Sequence, residues 1–195
     1  MRQSVKDYLA RVISRFPVNE PIYEIGSYRV EGQEEFADLR PFFPGKVYTG
    51  CDMRVGLGVD QVEDVHCLKI KSNSIGTILI FDTLEHVENV HVAMNEIYRV
   101  LKPGGMVIMS SVMNFPIHDY PSDYWRFTPK AFELLLKGFA AYEVEFDGDP
   151  KFPEGIYGFG IKERRKGSLK SAFLHLKSLK RHARLLFLMS IFCSG

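Results

Sequence analysis

A chain of 195 residues carrying a net charge of +1, with 46% hydrophobic and 25% charged residues, has the size for one sizeable core and the composition of an ordinary globular protein. That balance excludes a disordered polyelectrolyte and a collagen-like fibre. The longest apolar run, residues 185–193, falls short of the ~20 residues needed to cross a bilayer. No charged, apolar, small-residue leader opens the chain, and Cys51, Cys67 and Cys193 lack paired or metal-type spacing. A cytoplasmic protein with reduced thiols is therefore expected.

Charge is unevenly divided. Residues 162–195 hold nine Lys or Arg and one acidic residue, against 16 basic and 23 acidic residues before them. The expected organisation is one domain over residues 1–164, with an N-terminal helix in 1–20, and a basic extension over 165–195. Val5, Tyr8, Leu9, Val12, Ile13 and Phe16 recur at helical spacing, which predicts that helix and its buried stripe. Residues 22–25 read as a short buried strand closed by Gly26. A helix is predicted over 34–43, stopped by Pro44-Gly45, and a second strand over 47–51, ending at Asp52. Residues 53–60 contain Gly56 and Gly58 and read as a loop. A short third strand is predicted over 62–67. Residues 76–81 are apolar and β-branched, the mark of a central strand.

Residues 87–101 show helical periodicity through Val90, Ala93, Met94, Ile97 and Leu101. Pro103-Gly104-Gly105 stops that helix, since proline cannot sit in a helix interior and glycine accepts the left-handed geometry of a helix end. A strand is expected at once, over 106–112. Thr128-Pro129 fits an N-cap and first helical position, opening a helix to 136. Strands over 142–146 and 156–162, joined by a turn-rich link, imply a closing antiparallel hairpin. Alternating strands and helices argue for an α/β fold with a parallel sheet.

The run Arg99-Val100-Leu101-Lys102-Pro103-Gly104-Gly105, with Tyr23-Glu24-Ile25-Gly26 and Asp52 upstream, resembles the Rossmann-like, class I S-adenosylmethionine-dependent methyltransferases of the type 11-like kind. The joint at 99–105 matches that family's signature residue for residue, as a structural motif rather than a catalytic one, and the resemblance spans residues 21–162. It implies a seven-stranded, mostly parallel sheet with a C-terminal antiparallel hairpin and helices on both faces. It also implies S-adenosylmethionine as cofactor, S-adenosylhomocysteine as product, and methyl transfer to a small-molecule, glycan or lipid-type acceptor.

Parallel α/β sheets take ligands at the carboxyl ends of their strands. Gly26 matches the first glycine of the family's loop, whereas Tyr28 and Val30 stand where further glycines are common. The resemblance assigns Glu24, Gly26, Ser27, Asp52, Met53, Asp64, Val65, Asp82 and Thr83 to the cofactor. Asp52 would accept hydrogen bonds from vicinal ribose hydroxyls, although a nicotinamide dinucleotide site would place an acid similarly. Asp64 and the Val65 backbone would meet adenine, with Glu63 as a one-residue rival. Asp82 and Thr83 would line the methionine end, or cap the next helix.

On the substrate side, the expected residues are Glu85, Tyr120, Tyr124, Trp125 and Arg126, with His86 and His118 as proton acceptors. The aromatic segment 115–127 reads either as a substrate wall or as a lid packing its own side chains, with Arg126 paired to a carboxylate. No ligand spacing suggests a metal, and none is expected. Leu169, Ala172, Phe173, Leu176, Leu179, Ala183 and Leu186 put an apolar stripe on a basic C-terminal helix. That helix could rest on its own domain, a second copy or an anionic membrane surface. No nucleic-acid motif is present. A non-catalytic cofactor-binding scaffold and an NAD-dependent oxidoreductase remain the alternatives.

Overall fold

A computed structural model of the protein describes residues 1–32, 37–118 and 122–164. The expected C-terminal helix, with its membrane or oligomer role, lies outside the described residues. Among the described residues there are seven strands: β1 (Ile22–Ile25), β2 (Tyr48–Asp52), β3 (Gln61–Val62), β4 (Ile75–Ile80), β5 (Leu101–Val112), β6 (Ala141–Asp149) and β7 (Phe152–Ile161). They form one sheet in the order β3-β2-β1-β4-β5-β7-β6. The first five are parallel, and β7 runs antiparallel between β5 and β6. The expected seven-stranded sheet with its terminal hairpin is what the chain forms.

Helix α1 (Gln3–Arg15) buries Val5, Tyr8, Leu9 and Val12 on one sheet face, against Ile22, Leu79, Ile108 and Phe159. Helices α2 (Val90–Val100) and α3 (Pro129–Leu136) cover the other face. Their Ala93, Ile97, Phe132 and Leu136 join Ile25, Ile78, Ile80, Val107 and Met109 in a second core. Alternate residues of β4 and β5 thus feed opposite layers, as strand geometry requires. The Thr128 side chain accepts the Ala131 amide and Pro129 occupies the first turn of α3, as predicted. Asn89, not Asp82 or Thr83, caps α2 by accepting the Val92 amide.

Several element bounds differ from expectation. The third strand is only Gln61–Val62, because Asp64 accepts the His66 amide and starts a turn. Of the predicted helix 34–43, residues 34–36 lie outside the described residues, Ala37 is helical, and Arg40–Phe42 form a 3₁₀ turn. A second 3₁₀ turn, Leu84–His86, precedes α2.

The strand after α2 starts at Leu101, before the Pro-Gly-Gly rather than after it. Leu101 pairs with Ile75, and the next pair is Thr77 with Met106. Residues 102–105 therefore bulge from the ladder, with Gly104 at φ +80°. Lys162, at the end of β7, clamps the joint. Its Nζ donates to the carbonyls of Tyr98 (2.6 Å), Leu101 (2.8 Å) and Arg99 (3.4 Å), and to Asn73 Oδ1 (2.9 Å). Those carbonyls include the ones a helix end leaves without intrahelical partners.

Candidate active site

The chain runs outward from β1 to β2 and β3, then crosses back to β4 and β5, so the switch point lies between β1 and β4. Crevices form at such points, outside the carboxyl ends of the strands. Gly26 and Thr83 flank this one. Gly26 has φ +82°, and a Cβ there would lie 2.1 Å from Thr83 Oγ1 and 2.8 Å from its Cγ2. Only glycine permits that approach together with that backbone angle. Thr83 Oγ1 is held by donating to the Phe81 carbonyl at 2.8 Å.

Asp52 closes β2 and is largely buried. Its Oδ1 accepts the Arg54 amide at 3.0 Å and Arg54 Nε at 3.1 Å. Oδ2 meets the Tyr28 amide at a long 3.4 Å. Oδ2 thus retains capacity for a hydroxyl donor, which is what a ribose contact requires. The Arg54 guanidinium stacks over the Tyr28 ring, 4.1 Å from its centroid. Tyr28, which replaces an expected glycine, is therefore a platform rather than a gap in the loop. Ser27 Oγ is buried with no hydrogen-bond partner, a free polar atom beside this crevice.

The other residues assigned to the cofactor have different surroundings. Glu24 is buried and accepts Tyr48 Oη at 2.6 Å; burial pushes its carboxyl up to about 7, against the lowering effect of that bond. Its side chain is committed to β2. Met53 is exposed. Asp64 is engaged by the His66 amide (2.9 Å) and Nδ1 (2.8 Å), which hold its carboxyl below the usual range. Its rival Glu63 accepts the Lys69 amide at 2.8 Å. The Val65 side chain belongs to the core. Asp52 and Asp64 thus each have Oδ1 engaged by a residue two positions on, and Asp64 is the more exposed of the two.

Beyond β4, Asp82 has φ 43° and receives Arg2, whose Nη2 and Nε lie 2.8 and 3.2 Å from its two oxygens. Ser110 Oγ also donates to Asp82, at 2.7 Å. Next to it, Glu85 is fully buried. Ser111 Oγ donates to Glu85 Oε2 at 2.7 Å, whereas Oε1 has no partner. Burial, with the charge of Asp82 adding to it, raises the Glu85 carboxyl well above the ordinary range.

The two histidines expected as proton acceptors meet here. His86 and His118 rings cross edge to face at 4.7 Å. His86 Nδ1 lies 2.7 Å from the Ser122 carbonyl, and His118 Nδ1 lies 3.2 Å from that of Pro116. The backbone amides of Tyr124 and Trp125 donate to the Glu85 carbonyl, laying segment 122–127 over the 3₁₀ turn. Tyr124 and Trp125 keep exposed rings, and Trp125 Nε1 donates to the Val87 carbonyl at 2.8 Å. Arg126 differs from its expected role. Its guanidinium binds both oxygens of Asp123 and the carbonyls of Phe115, Pro116 and Trp125. It pins the segment and has little left for a substrate. Tyr120 lies outside the described residues.

Arg2, Arg54, Ser110, Ser111 and Asp123 were missed by sequence reasoning. Ser110-Ser111 did carry a signal, as two polar residues ending an otherwise apolar buried strand. Arg2 carried none, because only the fold brings the start of α1 to the end of β4. Expected without a metal, the site nonetheless gathers ligand-type atoms of Glu85, His86 and His118 within 4.8 Å of one another. His118 lies far along the chain from the other two, so no local spacing announces the group.

Residues 48–109 match the model of the methyltransferase domain family. The chain is 29% identical over 160 residues to the ubiquinone/menaquinone biosynthesis C-methyltransferase UbiE of Cereibacter sphaeroides, an alignment covering 68% of this chain and 64% of that one. This chain therefore spans just under two thirds of the length of that relative. Among solved structures, a SAM-dependent methyltransferase from Archaeoglobus fulgidus superposes with a TM-score of 0.62 at 16% identity, covering 83% of this chain and 95% of that one. Haemonchus contortus phosphoethanolamine N-methyltransferase 2, in complex with S-adenosyl-L-methionine, gives 0.60 at 17% identity over 82% of this chain and 53% of that one. The chain is thus similar in sequence to methyltransferases over part of its length, and its fold is that of solved S-adenosylmethionine-dependent methyltransferases.

Proposed function

We propose that this protein transfers a methyl group from S-adenosylmethionine to a small acceptor bearing an aromatic or apolar face. The observation that carries the reading is the crevice at the switch point. There Gly26 abuts Thr83, and Asp52 keeps one oxygen for a hydroxyl donor. When bound, the sulfonium supplies an electrophilic methyl group. Asp52 would hold the ribose, Gly26 would let the backbone approach, and Asp82 and Thr83 would border the methionine end. The chain's own contribution is then mainly positioning, holding donor and acceptor in a near-attack arrangement.

The acceptor side is lined by the exposed rings of Tyr124 and Trp125 and by Phe115, around the polar group of Glu85, His86 and His118. That combination suits a flat, apolar molecule with one polar reacting group. It accords with similarity to a quinone-biosynthesis C-methyltransferase. The polar group also offers the acceptor's proton a destination. Transfer of labelled methyl from S-adenosylmethionine to a panel of phenols, hydroquinones and sugars is the test. Turnover of ring-bearing acceptors is expected, and turnover restricted to sugars would refute the acceptor class.

A second reading has its own support. Asp52 and Asp82 are already paired with Arg54 and Arg2. A non-catalytic scaffold of the same fold would keep those pairs closed. Such a protein would bind neither S-adenosylmethionine nor S-adenosylhomocysteine, or bind them without turnover across the whole panel.

A further inference from the structure

The geometry points to a binding site for a divalent first-row transition-metal ion, zinc or cobalt in type, formed by Glu85, His86 and His118. Three features support it. One ligand-type atom from each residue lies within 4.8 Å of the others. On a four-coordinate ion with bonds of ~2.1 Å, such atoms sit about 3.4 Å apart, so side-chain rotations of about 1 Å close the group. Second, Glu85 Oε1 is a buried carboxylate oxygen with no partner, while Oε2 is held by Ser111. An orphaned oxygen in a buried position is costly unless something positive meets it. Third, each histidine has its Nδ1 against a backbone carbonyl, of Ser122 for His86 and of Pro116 for His118. That contact turns Nδ1 into the N–H donor and leaves Nε2 as the lone-pair nitrogen, the outer arrangement typical of metal-ligating histidine.

Two imidazole nitrogens and one carboxylate oxygen suit zinc-like ions better than magnesium or calcium, which prefer all-oxygen sets. Three protein ligands leave a coordination position open. An oxygen of the acceptor would occupy it; that assignment rests on the methyltransferase reading, whereas ion binding itself does not.

The 195-residue chain, stripped with a chelator, is titrated with Zn²⁺ by calorimetry and with Co²⁺ by visible spectroscopy. One equivalent is expected to bind, with Co²⁺ giving the intense bands of a low-coordinate site. His86→Ala and His118→Ala should each weaken binding at least ~10-fold, with unchanged circular dichroism. Ser111→Ala should weaken it less, and His66→Ala, at the separate Asp64 pair, should leave it intact. Catechol added to the Co²⁺ form should shift its bands. The inference is overturned by the absence of stoichiometric binding, by binding indifferent to His86 and His118, or by binding lost with His66. Calorimetry with S-adenosylhomocysteine on the same samples separates this outcome from failure of the methyltransferase reading.

Discussion

Replacing Gly26 by alanine tests the contact across the switch point. The residue sits at φ +82°, which costs an L-residue about 1–2 kcal/mol. The new Cβ would meet Thr83 Oγ1 at 2.1 Å, Cγ2 at 2.8 Å and Cβ at 3.0 Å. Swinging Oγ1 away breaks its bond to the Phe81 carbonyl, worth about 1 kcal/mol, and leaves the carbon overlaps, worth about another 1 kcal/mol or more. The total is about 3–5 kcal/mol, or a fall of about 10 °C in Tm for a chain of this size. In a Thr83→Ala background two of the three clashing atoms are gone, so the same change should cost only the backbone part, about 1–2 kcal/mol. Urea unfolding of the four proteins of this cycle gives the coupling directly. Equal costs for Gly26→Ala in both backgrounds, or a cost below about 1 kcal/mol in the parent, would refute the reasoning.

The remaining predictions concern the joint, the acceptor-side segment and pH. Lys162→Met should cost about 2–4 kcal/mol, because it strips a charged donor from three carbonyls at the α2–β5 junction; chemical denaturation reads this, and a loss under 1 kcal/mol speaks against the clamp. Arg126→Ala should loosen residues 122–127. Trp125, the single tryptophan, should then emit further to the red and become easier to quench with acrylamide, and an unchanged spectrum would contradict the pinning role. Glu24 carries a carboxyl raised by burial to about 7 from an ordinary 4.5. The folded state therefore holds a proton that the unfolded chain has released, and stability should fall as pH rises between those values. The loss is at most about 3 kcal/mol. Glu24→Gln should flatten that part of the stability profile, and an identical profile would remove Glu24 as its source.

Much of the architecture was legible because its signals are local. The β-branched run at β4, the periodic stripe of α2 and the Thr128-Pro129 cap each depend on neighbours in sequence. The Pro-Gly-Gly joint was legible as a helix stop but not as a bulged strand, because the pairing of Leu101 with Ile75 involves a distant element. The site divides the same way. Gly26, Asp52 and Thr83 stand at strand exits, where topology alone brings them together. Arg126 looked available because its sequence neighbours are aromatic, yet Asp123 and three carbonyls consume its donors. The turn in which Asp64 Oδ1 accepts the His66 amide shortens β3, and neither residue type announces it. The meeting of Glu85 with His118 depends on how a loop folds back, which no spacing encodes.

No described helix is long and apolar enough to cross a membrane. Isothermal calorimetry with S-adenosylhomocysteine, on the parent and on Asp52→Ala, addresses the central claim most directly. The account predicts binding to the parent and a loss of about 10–100-fold in the variant, equivalent to hydrogen bonds from ribose hydroxyls to a carboxylate. Absence of binding to the parent, or equal affinity for both proteins, would contradict it.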